Sequence, residues 1–122
     1  MRDYLRDSSE FQKVYRHGQR YDGRFITVFV IENRSGRHRL GVTASRKAVG
    51  NAVNRNRAKR LIRESFEFNG GSLRSLNSYY DWVINAKARL VSEKLVGPAT
   101  ELAEIIEKVG KVETTRTVEV FQ

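Results

Sequence analysis

Seven cations fall between Arg46 and Phe66, out of 23 Lys and Arg in the chain: Arg46, Lys47, Arg55, Arg57, Lys59, Arg60 and Arg63. A guanidinium forks onto two phosphate oxygens, and an ammonium offers the same anion a point charge. The chemistry on offer is capture of a polyanion. A solvated helix face would mix signs at i,i+4, because Glu–Lys pairs support a helix. Here Arg55/Lys59, Lys59/Arg63 and Asn56/Arg60 contain no acid. Like charges at that spacing cost a few tenths of a kcal/mol each, which favours an anion on the outside.

The element that must position these groups is a helix. Gly50-Asn51 is a turn, and a run without Gly or Pro follows to Asn69. On a helical wheel with Arg55 at zero, Lys59, Arg63, Asn56 and Arg60 fall at roughly 40° to 140°. Leu61, Ser65, Ala58, Ile62 and Phe66 fill the arc from about 240° through zero to 20°. The apolar arc is expected on a core and the cationic arc against a partner.

Gly50-Asn51-Ala52-Val53, Arg55-Asn56-Arg57, Lys59-Arg60 and Arg63-Glu64, in this order and nearly gapless, closely resemble the signature of the bacterial ribonuclease P protein subunit. Phe11, Val14, Tyr15 and Gly18 resemble a second pattern of that family, and Asp81 the acidic start of one of its strands. The resemblance spans roughly residues 5–110 and is most specific from Lys47 to Phe66. Two positions depart from it. Glu67 stands where a further cation is common, and Asn85 stands where the strand is usually apolar.

Length and composition bound the class. With 122 residues this is one expected domain, 1–122, with 111–122 as a tail beyond the family-like core. Hydrophobic content of 39% is too high for a disordered chain. The longest apolar run, Ile26 to Ile31, is broken by Thr27, so no membrane span is expected. Met1-Arg2-Asp3-Tyr4 has no apolar stretch of a signal peptide. The absence of cysteine removes disulfides, thiolate metal sites and thiol nucleophiles, and fits a cytoplasmic setting. A net charge of +9 suggests nucleic acid before an anionic membrane. The strand–turn–helix around Gly50 lacks the glycine and lysine pattern of a nucleotide loop.

Taken in order, Asp7 with Glu10 is a capping box for a helix ending at Gly18, with Phe11, Val14 and Tyr15 as its apolar stripe. Arg24 to Glu32 reads as a strand apolar on both faces, and His38 to Ser45 as its return, paired with it as a hairpin. A polar loop follows Asn69, with room for one helical turn. Tyr79 to Ala86 is a strand. Pro98 opens a last helix, Ala99 to Val109, which Gly110 stops. Lys111 to Gln122, with Val118 and Val120 alternating, is expected to be a frayed strand or unstructured. The expected fold is an α/β (α+β) two-layer sandwich, a small mixed sheet under helices in the order α-β-β-(β)-α-β-α. The resemblance implies a left-handed β-α-β crossover, against the right-handed rule.

The resemblance implies a ribonucleoprotein that removes the 5′ leader of precursor tRNA. Chemistry then lies in the RNA subunit with Mg²⁺, and no residue of this chain is assigned a catalytic or metal-ligating role, direct binding of Mg²⁺ by the protein being left open. The partners are ribonuclease P RNA and precursor tRNA, with no membrane and no DNA expected. Arg55, Asn56, Arg57, Lys59, Arg60 and Arg63 would dock on the catalytic RNA. Phe11, Tyr15 and Phe29, with Arg46 and Lys47, would line a cleft for the single-stranded leader. A protein that cuts RNA unaided is a second hypothesis. It needs paired general acid and base groups or clustered carboxylates, whereas His17 and His38 read as surface residues and Glu64 stands alone. A purely structural, ribosomal-type RNA-binding protein is a third; the aromatic positions of the cleft count against it.

Overall fold

The computed structural model describes residues 3–121, and side chains over 3–116. Met1-Arg2 and Gln122 lie outside the described residues. Helix α1 is Ser8–His17, followed by strands β1 Gln19–Asp22, β2 Ile26–Asn33 and β3 Arg39–Thr43. Then come α2 Arg46–Val49, α3 Ala52–Phe68, α4 Gly70–Arg74, β4 Tyr79–Ala86, a 3₁₀ turn over Ala88–Ser92, and α5 Val96–Phe121.

The sheet order is β1-β2-β4-β3. The last strand in sequence is thus inserted between β2 and β3, and the expected β2–β3 hairpin does not form. Strand β4 runs antiparallel to β2 and parallel to β3. The reason lies in the strand itself. Tyr80 through Ile84 are all buried, so β4 has no face it can give to water and takes the centre. Adjacent parallel strands need a long crossover, and the stretch through α2, α3 and α4 supplies it. Strand β1 was not anticipated; its Gln-Arg-Tyr-Asp carries too little apolar signal to mark a strand.

One face of the sheet packs under α3 and α5. Ile26, Val28, Val30, Leu40, Trp82 and Ile84 meet Ala58, Leu61 and Ile62 from α3 and Leu102, Ile105 and Ile106 from α5. The buried stripe of α3, Ala58, Leu61, Ile62 and Ser65, is the one its periodicity predicts. The opposite face carries a smaller cluster, in which Leu5, Val14 and Val83 are buried with Phe11, Phe29 and Ile31 against them. Helix α1 therefore covers only part of that face.

Two polar devices hold the layers in register. The Glu10 carboxylate accepts from the Asp7 amide at 3.1 Å, completing the capping box. It also accepts from Arg39 Nη1 at 2.9 Å. Arg39 forks onto Asp81 through Nε and Nη2, both at 2.7 Å. Asp81 is 5% exposed, so that fork satisfies a carboxylate that would be costly to bury alone. These bonds hold the Glu10 carboxyl below its ordinary value, first through the Asp7 and Arg6 amides, and raise Arg39.

The end of the chain departs from expectation. Pro98 occupies the third position of α5, where no amide partner is lost, and Gly110 keeps a negative φ and stays helical. The helix continues because Glu113 is fastened: its carboxylate accepts from the Asn77 and Ser78 amides, each at 3.0 Å, and from the Tyr80 hydroxyl. Burial, followed by that bond, raises the Tyr80 phenol. The alternation of Val118 and Val120 lies outside the described side chains. Among the described residues no helix is long and apolar enough to cross a membrane.

His38 is not the surface residue expected. Its Nδ1 accepts from the Tyr80 amide at 3.2 Å and from Trp82 Nε1 at 3.1 Å, and its Nε2 lies 3.1 Å from the Leu73 carbonyl. Two N–H groups on Nδ1 fix the neutral tautomer with hydrogen on Nε2. Burial holds the imidazole below its ordinary pKa of 6.5. A depressed pKa in the fold means full stability above the unfolded value and loss as pH falls below it. We expect the Tm to fall as pH drops from about 7 to about 5, above the carboxylate range. In His38→Asn, whose amide oxygen can still accept, thermal melts should show a shallower slope over that interval. An unchanged slope would contradict the assignment.

Candidate RNA-binding surface

The cationic helix is launched by two caps. Ser45 Oγ accepts from the Ala48 amide at 3.1 Å and starts α2. The chain then turns at Gly50, where φ is +92°, a value that favours glycine. Asn51 Oδ1 accepts from the Asn54 amide at 3.0 Å and starts α3. Arg46 and Lys47 stand exposed on α2, beyond the end of β3.

The structure divides the six predicted docking residues into two sets. Arg55 donates from Nε to the Ala44 carbonyl at 2.9 Å. Arg57 donates from Nε to the Val91 carbonyl at 2.8 Å and from Nη2 to the Glu93 carbonyl at 2.7 Å. Both are half-buried and brace α3, Arg55 to the end of β3 and Arg57 to the 3₁₀ turn. Arg55 keeps Nη groups for a partner, and Arg57 keeps little. Asn56 and Arg60 are exposed, and Lys59 and Arg63 are half-exposed. The Arg60 side chain is 60% exposed and lies 3.9 Å from Glu64, too loose to withhold it from an anion.

The predicted cleft lies on the face that α1 leaves partly open. Tyr15 meets Phe29 edge to face, with ring centroids 4.9 Å apart. The Arg20 guanidinium stands 5.6 Å over the Phe29 ring. Phe11 is placed deeper. Its ring packs on Gly41, where a Cβ would come within 2.7 Å of it, so Phe11 seats α1 on β3. Past Tyr15 the sheet surface is polar. Register places Thr27, Asn85 and Thr43 side by side across β2, β4 and β3. Asn85 Oδ1 accepts from the Tyr15 hydroxyl at 2.8 Å and from Thr43 Oγ1 at 2.6 Å.

At the edge of this strip, Asp22 pairs with Lys87 at 2.8 Å and accepts from Thr27 Oγ1 at 2.8 Å. The Lys87 bond, then the Thr27 bond, lowers the Asp22 carboxyl. Beyond it, Glu101 accepts from the Arg24, Phe25 and Ile26 amides at 2.9 to 3.0 Å and fixes the turn between β1 and β2. Sequence reasoning missed Arg20, Thr43 and Asn85 as parts of this strip. The sequence signal for Asn85 was its polarity within an apolar strand. Arg20 could be placed only once β1 was known.

An α+β domain with a cationic helix beside an aromatic strip of open sheet is, by class, an RNA-binding protein. The family model for ribonuclease P matches residues 2–110. The chain belongs to that family, the bacterial ribonuclease P proteins, and is thus a protein component of a ribonucleoprotein endoribonuclease that processes tRNA, with a ribonuclease P RNA as partner. It is 35% identical over 106 residues to the ribonuclease P protein component of Clostridium botulinum strain Loch Maree, covering 87% of this chain and 93% of that one. The Syntrophus aciditrophicus component is 38% identical over 104 residues, covering 85% of this chain and 84% of that one. Among solved structures, the Staphylococcus aureus RNase P protein matches with a TM-score of 0.71 at 29% identity, covering 92% of this chain and 98% of that one. The Thermotoga maritima RNase P protein, at 24% identity and a TM-score of 0.74, shares the fold over 88% of this chain and 97% of that one.

The two sets of arginines should separate in stability. We expect Arg57→Ala to lose about 1–3 kcal/mol, because two backbone carbonyls lose their donor. Arg60→Ala should stay within about 0.5 kcal/mol of the parent. Urea unfolding followed by far-UV circular dichroism checks both, and equal losses would refute the division.

Proposed function

We propose that the chain docks on the catalytic RNA through α3 and holds the 5′ leader of precursor tRNA, single-stranded, on the open strip of the sheet. The observation that carries this reading is the uncovered strip itself. Tyr15 and Phe29 offer ring surface, Arg20 adds a cation above Phe29, and Arg46 and Lys47 stand beyond the end of β3. Every base has a stacking face, so such a strip accepts unpaired nucleotides with little regard to sequence. The docking face follows from charge. Lys59, Arg60 and Arg63 with the free end of Arg55 meet a phosphate backbone, and Asn56 offers a donor and an acceptor to a base or a 2′-hydroxyl.

In this reading the bond-breaking step belongs to the RNA and its Mg²⁺. Among the described residues no three His, Asp or Glu groups converge. What the chain's residues do is bind and orient, holding the leader so that the scissile phosphate of precursor tRNA is presented to the RNA. The cysteine-free composition fits the cytoplasm as the setting.

Reconstitution tests the whole. Purified protein, a bacterial ribonuclease P RNA and precursor tRNA are assayed together and singly at physiological Mg²⁺. Stimulated 5′ processing only with both components is the expected result; cleavage by the protein alone would overturn the division of labour. Arg60→Ala should lower the salt slope of RNA-subunit binding by about one phosphate, read from Kd against salt. Phe29→Ala should weaken holoenzyme binding of long-leader precursor by about 1–3 kcal/mol and leave mature tRNA untouched. An equal effect on both substrates would remove Phe29 from the leader site.

A further inference from the structure

Asn85 lies in the middle of the open strip, and its hydrogen bonds leave it only half of its usual reading capacity. The inference drawn from it rests on the leader-site reading above. A side-chain amide oxygen has two lone pairs. Here the Tyr15 hydroxyl takes one at 2.8 Å and the Thr43 hydroxyl the other at 2.6 Å. Among the described residues the Nδ2 group has no partner, and Asn85 is half-exposed. Among the described residues no buried side-chain polar atom lacks a partner, so the two Nδ2 hydrogens open onto the strip. An apolar side chain at this position would leave both hydroxyls to water.

An unconstrained asparagine reads adenine with both ends of its amide, accepting from N6 and donating to N7. Asn85 can only donate. Adenine sets its N6 donor beside both N1 and N7, and therefore brings a donor against a donor on either edge. Guanine presents O6 and N7 as adjacent acceptors, and cytosine presents O2 and N3. Uracil falls between, with carbonyl acceptors flanking an N3 donor. We propose that Asn85 is a specificity-determining residue that favours guanine or cytosine over adenine at one nucleotide of the single-stranded leader. Tyr15 and Thr43 act through it as positioning residues, by consuming its acceptor.

The test uses holoenzyme reconstituted with a bacterial ribonuclease P RNA. Precursor tRNAs carry each of the four bases in turn at each leader position, and competitive kcat/KM is read for every substrate. The parent should disfavour adenine against cytosine or guanine by about fivefold at one position, the worth of one hydrogen bond. Asn85→Ile should level the four bases there. Thr43→Val returns one lone pair to Oδ1 and should raise adenine towards parity or beyond. An Asn85→Ile base profile that superimposes on the parent's, or a parent that prefers adenine at every position it discriminates, would overturn the assignment. A parent indifferent to leader length would show that the leader site itself is misplaced, and the inference would fall with it.

Discussion

Burial of β4 on both faces is the constraint on which the rest depends. A strand without a wet face must be central, must be paired on both edges, and must be covered on both sides. Pairing takes β2 on one edge and β3 on the other, which forces the crossover and gives α3 its place. Covering differs between the faces. Trp82 and Ile84 meet two long helices, whereas Val83 meets α1 and Leu5 ahead of it. Both proposed surfaces follow from that asymmetry. The fully covered face leaves the outer side of α3 exposed, and the partly covered face leaves a strip of sheet open.

The cations show how a charged helix can serve two ends at once. Arg55 and Arg57 face inward far enough to reach backbone carbonyls, and this fixes the azimuth of α3 against β3 and the 3₁₀ turn. Lys59, Arg60 and Arg63 are then held on the outside without an acid strong enough to neutralise them. Interior networks use the opposite logic. Asp81, Glu10 and Glu113 each accept from a donor on another element, and charge there fixes geometry.

Much of this was legible in the sequence because periodicity reports burial. The buried stripe of α3, the capping box of α1 and the Tyr79–Ala86 strand all follow from local pattern and chemistry. Pairing was not legible. Whether β2 joins β3 or β4 is decided by which strand can least tolerate an edge, and that emerges only on comparing all strands together. Strand β1 is too short and polar to announce itself. The extension of α5 past Gly110 depends on Glu113 reaching a loop more than thirty residues earlier. His38 looked like surface because a lone imidazole in sequence shows none of its partners. The site residues divided in the same way. The exposure of Arg60 was readable from charge spacing, whereas Arg57 was drawn inward by carbonyls that no local pattern reveals.

The central claim is that two faces of one small domain hold two different RNAs. The chain contains no cysteine, so single introduced cysteines can carry a photoactivatable aryl azide. The measurement is crosslinking within the reconstituted complex on precursor tRNA, with the label placed at Thr43→Cys on the strip or at Arg60→Cys on α3. The account predicts that the Thr43 label marks the leader and the Arg60 label marks the ribonuclease P RNA. Both labels on the same RNA, or the reverse assignment, would contradict it.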